Sequence, residues 1–137
     1  MHWIVVSIRY LWVLPTTAVG LCLGVLALIS GGAMQWMDGV LEFHGGFVAY
    51  FLEHCTLLEG GASAMTLGHV VLGLDRKSLE WTREHERVHV AQCERWGPFF
   101  LPAYGLASAW IYLHGGDAYR DNPFEREAYA VSSDSLK

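Results

Sequence analysis

The pattern of apolar and polar positions divides the chain sharply. Residues 10–30, YLWVLPTTAVGLCLGVLALIS, hold no charged side chain. As a helix this run rises about 30 Å, the thickness of the hydrocarbon core of a bilayer. Pro15 is tolerable near the start of such a helix. Gly20 and Gly24 make a G-x-x-x-G pair suited to close helix packing, and Trp3, Tyr10, Trp12 and Trp36 bracket the run as interfacial aromatics do. The rival is a cleaved signal segment, with Gly31, Gly32 and Ala33 as a small-residue cleavage site. The apolar run exceeds the usual length of a signal core, which favours an uncleaved anchor over residues 1–33.

Beyond the anchor the pattern shortens and alternates. Residues 39–54 read as two strands joined by a tight turn at Gly45 and Gly46. Residues 61–75 read as a strand or a pair of short strands, with a turn at Gly60 and Gly61 before them and another at 74–77 after them. Residues 78–96 read as an amphipathic helix with Ser78 as N-cap, stopped by Gly97 and Pro98. A second apolar run, 98–113, is about 16 residues long and broken by Pro102, short for a membrane crossing. Asn122 and Pro123 then open a last short helix over 123–131, with Asn122 as N-cap, and SSDSLK forms a frayed tail. The expected fold class is α+β. An N-terminal transmembrane helix precedes a domain over 34–137, in which a short antiparallel sheet packs on the 78–96 helix and a C-terminal helix bears glutamates.

Charge follows the same division. All 14 acidic residues lie from Asp38 onward, with eight of the nine Lys and Arg. The 34–137 segment is therefore mildly acidic and lacks the basic stripe of a nucleic-acid binder, so no nucleic-acid partner is expected. Arg9 alone precedes the apolar run and leaves the membrane orientation open. Three cysteines make no disulfide framework. Cys55 and Cys93 could pair in an oxidising compartment, Cys93 could lie near the face of His89, and a buried free thiol is the plainer reading for it.

The chemistry concentrates in REHERVHVAQCERWG. His85 and His89 lie one turn apart on one helical face and can reach a single zinc ion. Glu86 projects beside them, where its carboxylate can hold the attacking water and take its proton. A third ligand is offered downstream by Glu125, one turn into the last helix, which would complete a His₂Glu site with an open position. Glu127 competes with it, about 200° round the helix. The plain reading of either is a solvated first-turn acid. If His85, His89 and Glu125 meet at one ion, residues 98–113 cannot be a single crossing, because the ligands would then lie on opposite faces of the bilayer. That run must be a core, re-entrant or interfacial helix, and its Phe, Trp and Tyr content favours the interface. His69 could polarise a substrate carbonyl, although a strand histidine beside a glycine is more often structural. Gln92, three residues after His89, could brace the histidine helix. If residues 66–72 form the edge of the sheet beside the metal, an extended peptide could pair with them.

HERVHVAQ, WGPFFLPAY and NPFEREAYA together resemble the small bacterial metallopeptidase-like proteins of the gluzincin type, the minigluzincins. GASAMTLGHVVLG resembles the strand that precedes the active-site helix there. The E-x-x-A at Glu125 to Ala128 also resembles the third-ligand helix of a class of integral-membrane metallopeptidases, which selects Glu125 over Glu127. The chain departs at Tyr129, where those enzymes carry an aspartate. The resemblance covers roughly residues 61–131. It implies a zincin-like domain over 34–137, Zn²⁺ held by His85, His89 and Glu125, Glu86 as general base, and Tyr104 or Tyr119 as a donor to the developing oxyanion. It also implies a peptide or protein substrate and a bacterial inner-membrane location. The function expected is membrane-anchored, zinc-dependent hydrolysis of peptide bonds. The alternative is a catalytically silent zinc-binding membrane protein that serves as an interaction or structural module.

Overall fold

The computed structural model describes residues 1–56 and 61–135. In chain order the elements are α1 (His2–Ile29), β1 (Ala33–Met37), β2 (Val40–His44), α2 (Gly46–His54), β3 (Ala64–Leu67), β4 (Val70–Gly73), α3 (Arg76–Trp96), a 3₁₀ turn (Gly97–Phe99), α4 (Phe100–Leu113) and α5 (Pro123–Ser135). The class is α+β, with a long apolar N-terminal helix and one small four-stranded sheet.

The sheet runs β1-β2-β4-β3. β1 pairs antiparallel with β2, and β3 with β4, but β2 and β4 are parallel. The sheet is thus mixed, where the sequence reading expected an antiparallel one. The cause is α2, which carries the chain away from β2 so that β3 enters at the far edge and β4 returns alongside β2. Residues 46–54 had been expected to be a strand. Gly45 (φ 79) and Gly46 (φ 53) turn the chain out of the sheet instead of closing a hairpin. Val48 and Leu52, one turn apart, then give α2 its buried face. The hairpin lies one element earlier, at Asp38 (φ 51) and Gly39 (φ 85), where an Asp-Gly pair supplies the two left-handed positions of a two-residue turn. Of the turn expected at Gly60 and Gly61, Gly60 lies outside the described residues.

Two layers of helix cover the sheet. On one face Phe43, Val70 and Leu72 pack with Ala27 of α1 and with Val48 and Leu52 of α2. On the other, Val40 and Val71 pack against Leu79 and Val90 of α3. Val70, Val71 and Leu72 are all buried, as a strand covered on both faces requires.

α1 buries a narrow stripe, Val13, Thr16, Gly20, Gly24 and Ala27. Its glycines pack on the sheet rather than on another helix. A Cβ at Gly20 would come within 2.7 Å of Cβ of Val70, and one at Gly24 would strike the Phe43 ring. α1 remains long and apolar enough to cross a membrane.

α3 starts at Arg76, earlier than the Ser78 cap expected from sequence. Asp75 is the N-cap, and its carboxylate accepts a hydrogen bond from the Ser78 N–H at 2.7 Å. That bond holds the exposed Asp75 carboxyl below its ordinary pKa. The cap of α5 matches its sequence signal, since Asn122 Oδ1 accepts from the Phe124 N–H at 2.9 Å. The helix runs on to Ser135, through most of the expected tail.

Candidate metal centre

α3 carries the central groups. Its inward face buries Leu79, Glu86, His89, Val90, Gln92 and Cys93, while Arg76, Lys77, Glu80 and Glu84 face outward. Arg83 and Arg87 secure the helix to the sheet. Arg83 donates to both carboxylate oxygens of the buried Glu42, at 2.9 and 3.1 Å. Arg87 donates to the Met37 and Asp38 carbonyls of the β1–β2 turn. Nothing in the local pattern around Arg83 announced this pair, which joins residues 41 positions apart.

α5 packs on α3 and brings Glu125 to the two histidines. Nε2 of His85 is 3.0 Å from Glu125 Oε2, Nε2 of His89 is 3.2 Å from Oε1, and the two Nε2 atoms are 3.2 Å apart. One donor atom from each residue lies within 4.8 Å of the others, so the three could hold a metal ion. Ligands at about 2.0–2.1 Å in a tetrahedron are separated by about 3.3 Å, and the observed spacings approach that value. The donor set therefore fits a zinc-sized cation.

The surrounding groups orient this cluster. His89 donates through Nδ1 to Gln92 Oε1 at 2.8 Å, and Gln92 Nε2 donates to the Phe124 carbonyl of α5 at 3.0 Å. The second bond orients the Gln92 amide, and the first leaves Nε2 of His89 as the atom that faces the cluster. Gln92 thus braces both helices. Tyr104 donates its hydroxyl to Glu125 Oε1 at 2.8 Å. Asn122 Nδ2 donates to the Tyr104 carbonyl and to Ser108 Oγ, tying α5 to α4. His85 has no such brace. Its Nδ1 is buried without a hydrogen-bond partner among the described residues, and the Tyr129 ring lies over it with centroids 4.4 Å apart.

The electrostatics match this crowding. Burial pushes the His89 pKa down, but hydrogen bonding to Glu125 and the charges of Glu86 and Glu125 outweigh it and raise it to about 9. Burial pushes Glu125 up, but its bonds to His85 and His89, the His89 charge and Tyr104 bring it down to about 2. Glu86 is raised, because burial outweighs the nearby histidines and the 2.6 Å bond from Thr66 Oγ1. Thr66 belongs to β3. The sequence marks it only as a strand residue, and no local signal points to its contact with Glu86.

A cavity of about 230 Å³ opens beside the cluster. Glu86, His89 and Glu125 form its polar wall, and Ala62, Met65, Leu67 and Phe100 line much of the rest. β3 borders it and is an edge of the sheet among the described residues.

Other candidates fall elsewhere. Tyr104 reaches the site, but its hydroxyl is spent on Glu125 rather than left toward a substrate oxygen. Tyr119 lines the cavity and shares a 2.9 Å hydrogen bond with Tyr129. His69 is not brought to the cluster. It sits at the β3–β4 turn, with Nε2 3.0 Å from Glu94 and its ring stacked on Tyr10. Glu94 lies eight residues beyond Glu86, about 12 Å along the helix. Glu127 turns outward, 3.5 Å from Arg95 and 41% exposed. Cys55 and Cys93 are free thiols, Cys55 exposed and Cys93 buried.

Comparisons of the chain with family models, with curated proteins and with solved structures return no match.

Proposed function

We propose that the chain is a membrane-anchored, zinc-dependent peptidase. The observation that carries this reading is the convergence of His85, His89 and Glu125 on one point, with the carboxylate of Glu86 buried on the wall of the adjoining cavity. On this reading the sheet, α3 and α5 form a zincin-like domain and α1 is its anchor in a bacterial inner membrane. Zinc at such a site supplies Lewis acidity toward a peptide carbonyl and makes water more acidic. Glu86 takes the proton of the attacking water, a task suited to a carboxylate whose pKa burial raises above its ordinary value. Thr66 holds one oxygen of Glu86 and leaves the other for water. Tyr104 and Gln92 are positioning residues, the first for Glu125 and the second for His89. The outer edge of β3, an edge of the sheet among the described residues, offers backbone groups to an extended peptide, and the cavity takes an apolar side chain.

A second reading, a zinc-binding module without activity, is favoured by the Tyr104 hydroxyl being engaged with Glu125. One set of variants separates the two. Elemental analysis of the purified chain is expected to give about one zinc per chain, as for a mononuclear site, and His85→Ala and His89→Ala are expected to lose it. Glu125→Gln is expected to weaken binding, and Glu127→Gln to leave it unchanged. Glu86→Gln is expected to keep the metal and lose hydrolysis of a peptide library. Zinc retained by both histidine variants would overturn the site. Hydrolysis that survives in Glu86→Gln would overturn the mechanism, and a wild-type chain that binds zinc without hydrolysing any peptide would favour the silent module.

A further inference from the structure

α4 is built inside out. Its polar side chains point into the protein, Tyr104 to Glu125 and Ser108 to the Ala118 carbonyl and Asn122. Beyond the buried Phe100, most of its large apolar side chains point away from it. Leu106 is 73% exposed, Trp110 66%, Tyr112 72% and Leu113 78%. No charged residue occurs from Gly97 through Leu113. In water this arrangement exposes a contiguous apolar face, and such faces mark interaction surfaces.

α1 has the same inversion and adjoins α4. Its inward stripe is made of Val13, Thr16, Gly20, Gly24 and Ala27, whereas Ile8, Leu11, Leu14 and Ile29 are at least half exposed. The two helices meet at the 3₁₀ turn, where the Trp12 and Phe99 rings lie 6.1 Å apart and Gly97 is close enough to the Trp12 indole that a Cβ there would collide with it. Val13 of α1 and Phe100 of α4 share one buried cluster. The two helices therefore adjoin at the 3₁₀ turn, and one of them suits a bilayer by length and composition.

We propose that the outward face of α4 is a second membrane-contact surface, seated in lipid beside α1. Two features favour lipid over a second copy of this chain. Protein interfaces carry a polar rim, and Arg9 is the only charge on either helix. Trp110 and Tyr112 also lie at the end of α4 that runs into the polar loop at His114–Asp117, the level at which such side chains sit in a membrane interface. The proposal stands whether or not the cluster binds metal. It makes the helix that bears Tyr104, one wall of the cavity, a membrane-seated element.

The test uses the full chain in phosphatidylcholine vesicles that carry doxyl-labelled lipid. Single-tryptophan variants keep either Trp110 or Trp81. Trp81 is 86% exposed but lies on the charged outer face of α3, so it is a matched control. Doxyl lipid is expected to quench Trp110 at least twofold more than Trp81, and iodide is expected to do the reverse. Equal lipid quenching of the two would overturn the proposal. So would a Trp110 shielded from both quenchers in chains that cross-link through Leu106→Cys, which is the result of a second copy on this face. If the single-tryptophan chains do not fold, a polarity-sensitive dye on Leu106→Cys or Glu80→Cys, in a Cys22→Ser, Cys55→Ser background, reads the same contrast. A blue-shifted Leu106 site supports the proposal, and a water-like one overturns it.

Discussion

α3 and α4 follow one another through a single 3₁₀ turn, yet they are patterned in opposite senses. α3 turns its charges outward, at Arg76, Lys77, Glu80 and Glu84, and gives the inward Glu86 and His89 partners in Thr66 and Gln92. α4 turns Leu106, Trp110 and Leu113 outward and holds Tyr104 and Ser108 inside. Both satisfy the same rule, that a buried polar group needs a hydrogen bond. They differ in what lies on the far side. The contrast shows that the buried face of α4 is told by its partners and not by its hydropathy. It also explains how one short stretch of chain can serve a polar centre and an apolar surface together.

The largest effect is expected from removing what ties the polar helix to the sheet. Arg83→Ala leaves the carboxylate of Glu42, 1% exposed, without its two-pronged donor. Loss of one partner of a buried pair costs about 3–5 kcal/mol. The lower end is expected here, because Gln35 still donates to Glu42 at 2.9 Å and Arg87 lies 3.9 Å away. Denaturant unfolding checks this, and a loss below about 1 kcal/mol would mean that the pair does not secure α3.

The inside-out character of α1 can be sharpened next. Gly24→Leu drives a side chain into the Phe43 ring, and overpacking of this kind costs about 1–3 kcal/mol. Val25→Leu, one residue on at a half-exposed position, is expected to change stability by less than about 0.5 kcal/mol. Thermal melts of both variants in one detergent read the difference. Equal losses would show that the two faces of α1 are not distinct.

The smallest effect concerns the start of α3. The bond from the Ser78 N–H lowers the Asp75 pKa below 3.8 in the folded chain. Its contribution is therefore complete above about pH 3.8 and is lost as pH falls through the folded value. Asp75→Asn keeps the acceptor and removes the charge. It is expected to melt slightly lower than wild type at pH 7 and to lose this share of the acid sensitivity. An unchanged acid profile would mean that the cap carboxylate contributes nothing.

Much of this is legible in the sequence. The uncharged run at 10–30 announced α1, Gly97 and Pro98 ended α3, and Asn122 and Pro123 opened α5. Spacing alone put His85 and His89 on one face. These features depend on neighbours within a turn or two, where side-chain volume, capping chemistry and proline geometry act directly. The glycines misled where two local solutions were open. A pair such as Gly45 and Gly46 can close a hairpin or release a helix, and the packing of Val48 and Leu52 under the sheet chose the helix. Asp38 and Gly39 carry a local hairpin signal of their own, an Asp-Gly pair with both residues at positive φ.

Local pattern marked α1, α3 and α5, though not α2, and showed which residue types could reach an ion. Only the tertiary structure decided the parallel pairing of β2 with β4, the turning of Glu125 inward and Glu127 outward, the engagement of the Tyr104 hydroxyl by Glu125, and the removal of His69 to Glu94 and Tyr10. It also decided that α4 faces outward with its apolar side. The physical reason is range. Periodicity and caps are energies of adjacent residues, whereas the partner of a buried carboxylate or hydroxyl is whichever group the packing of distant elements brings within 3 Å, and a helix of uniform apolarity carries no local mark of which side will meet the protein.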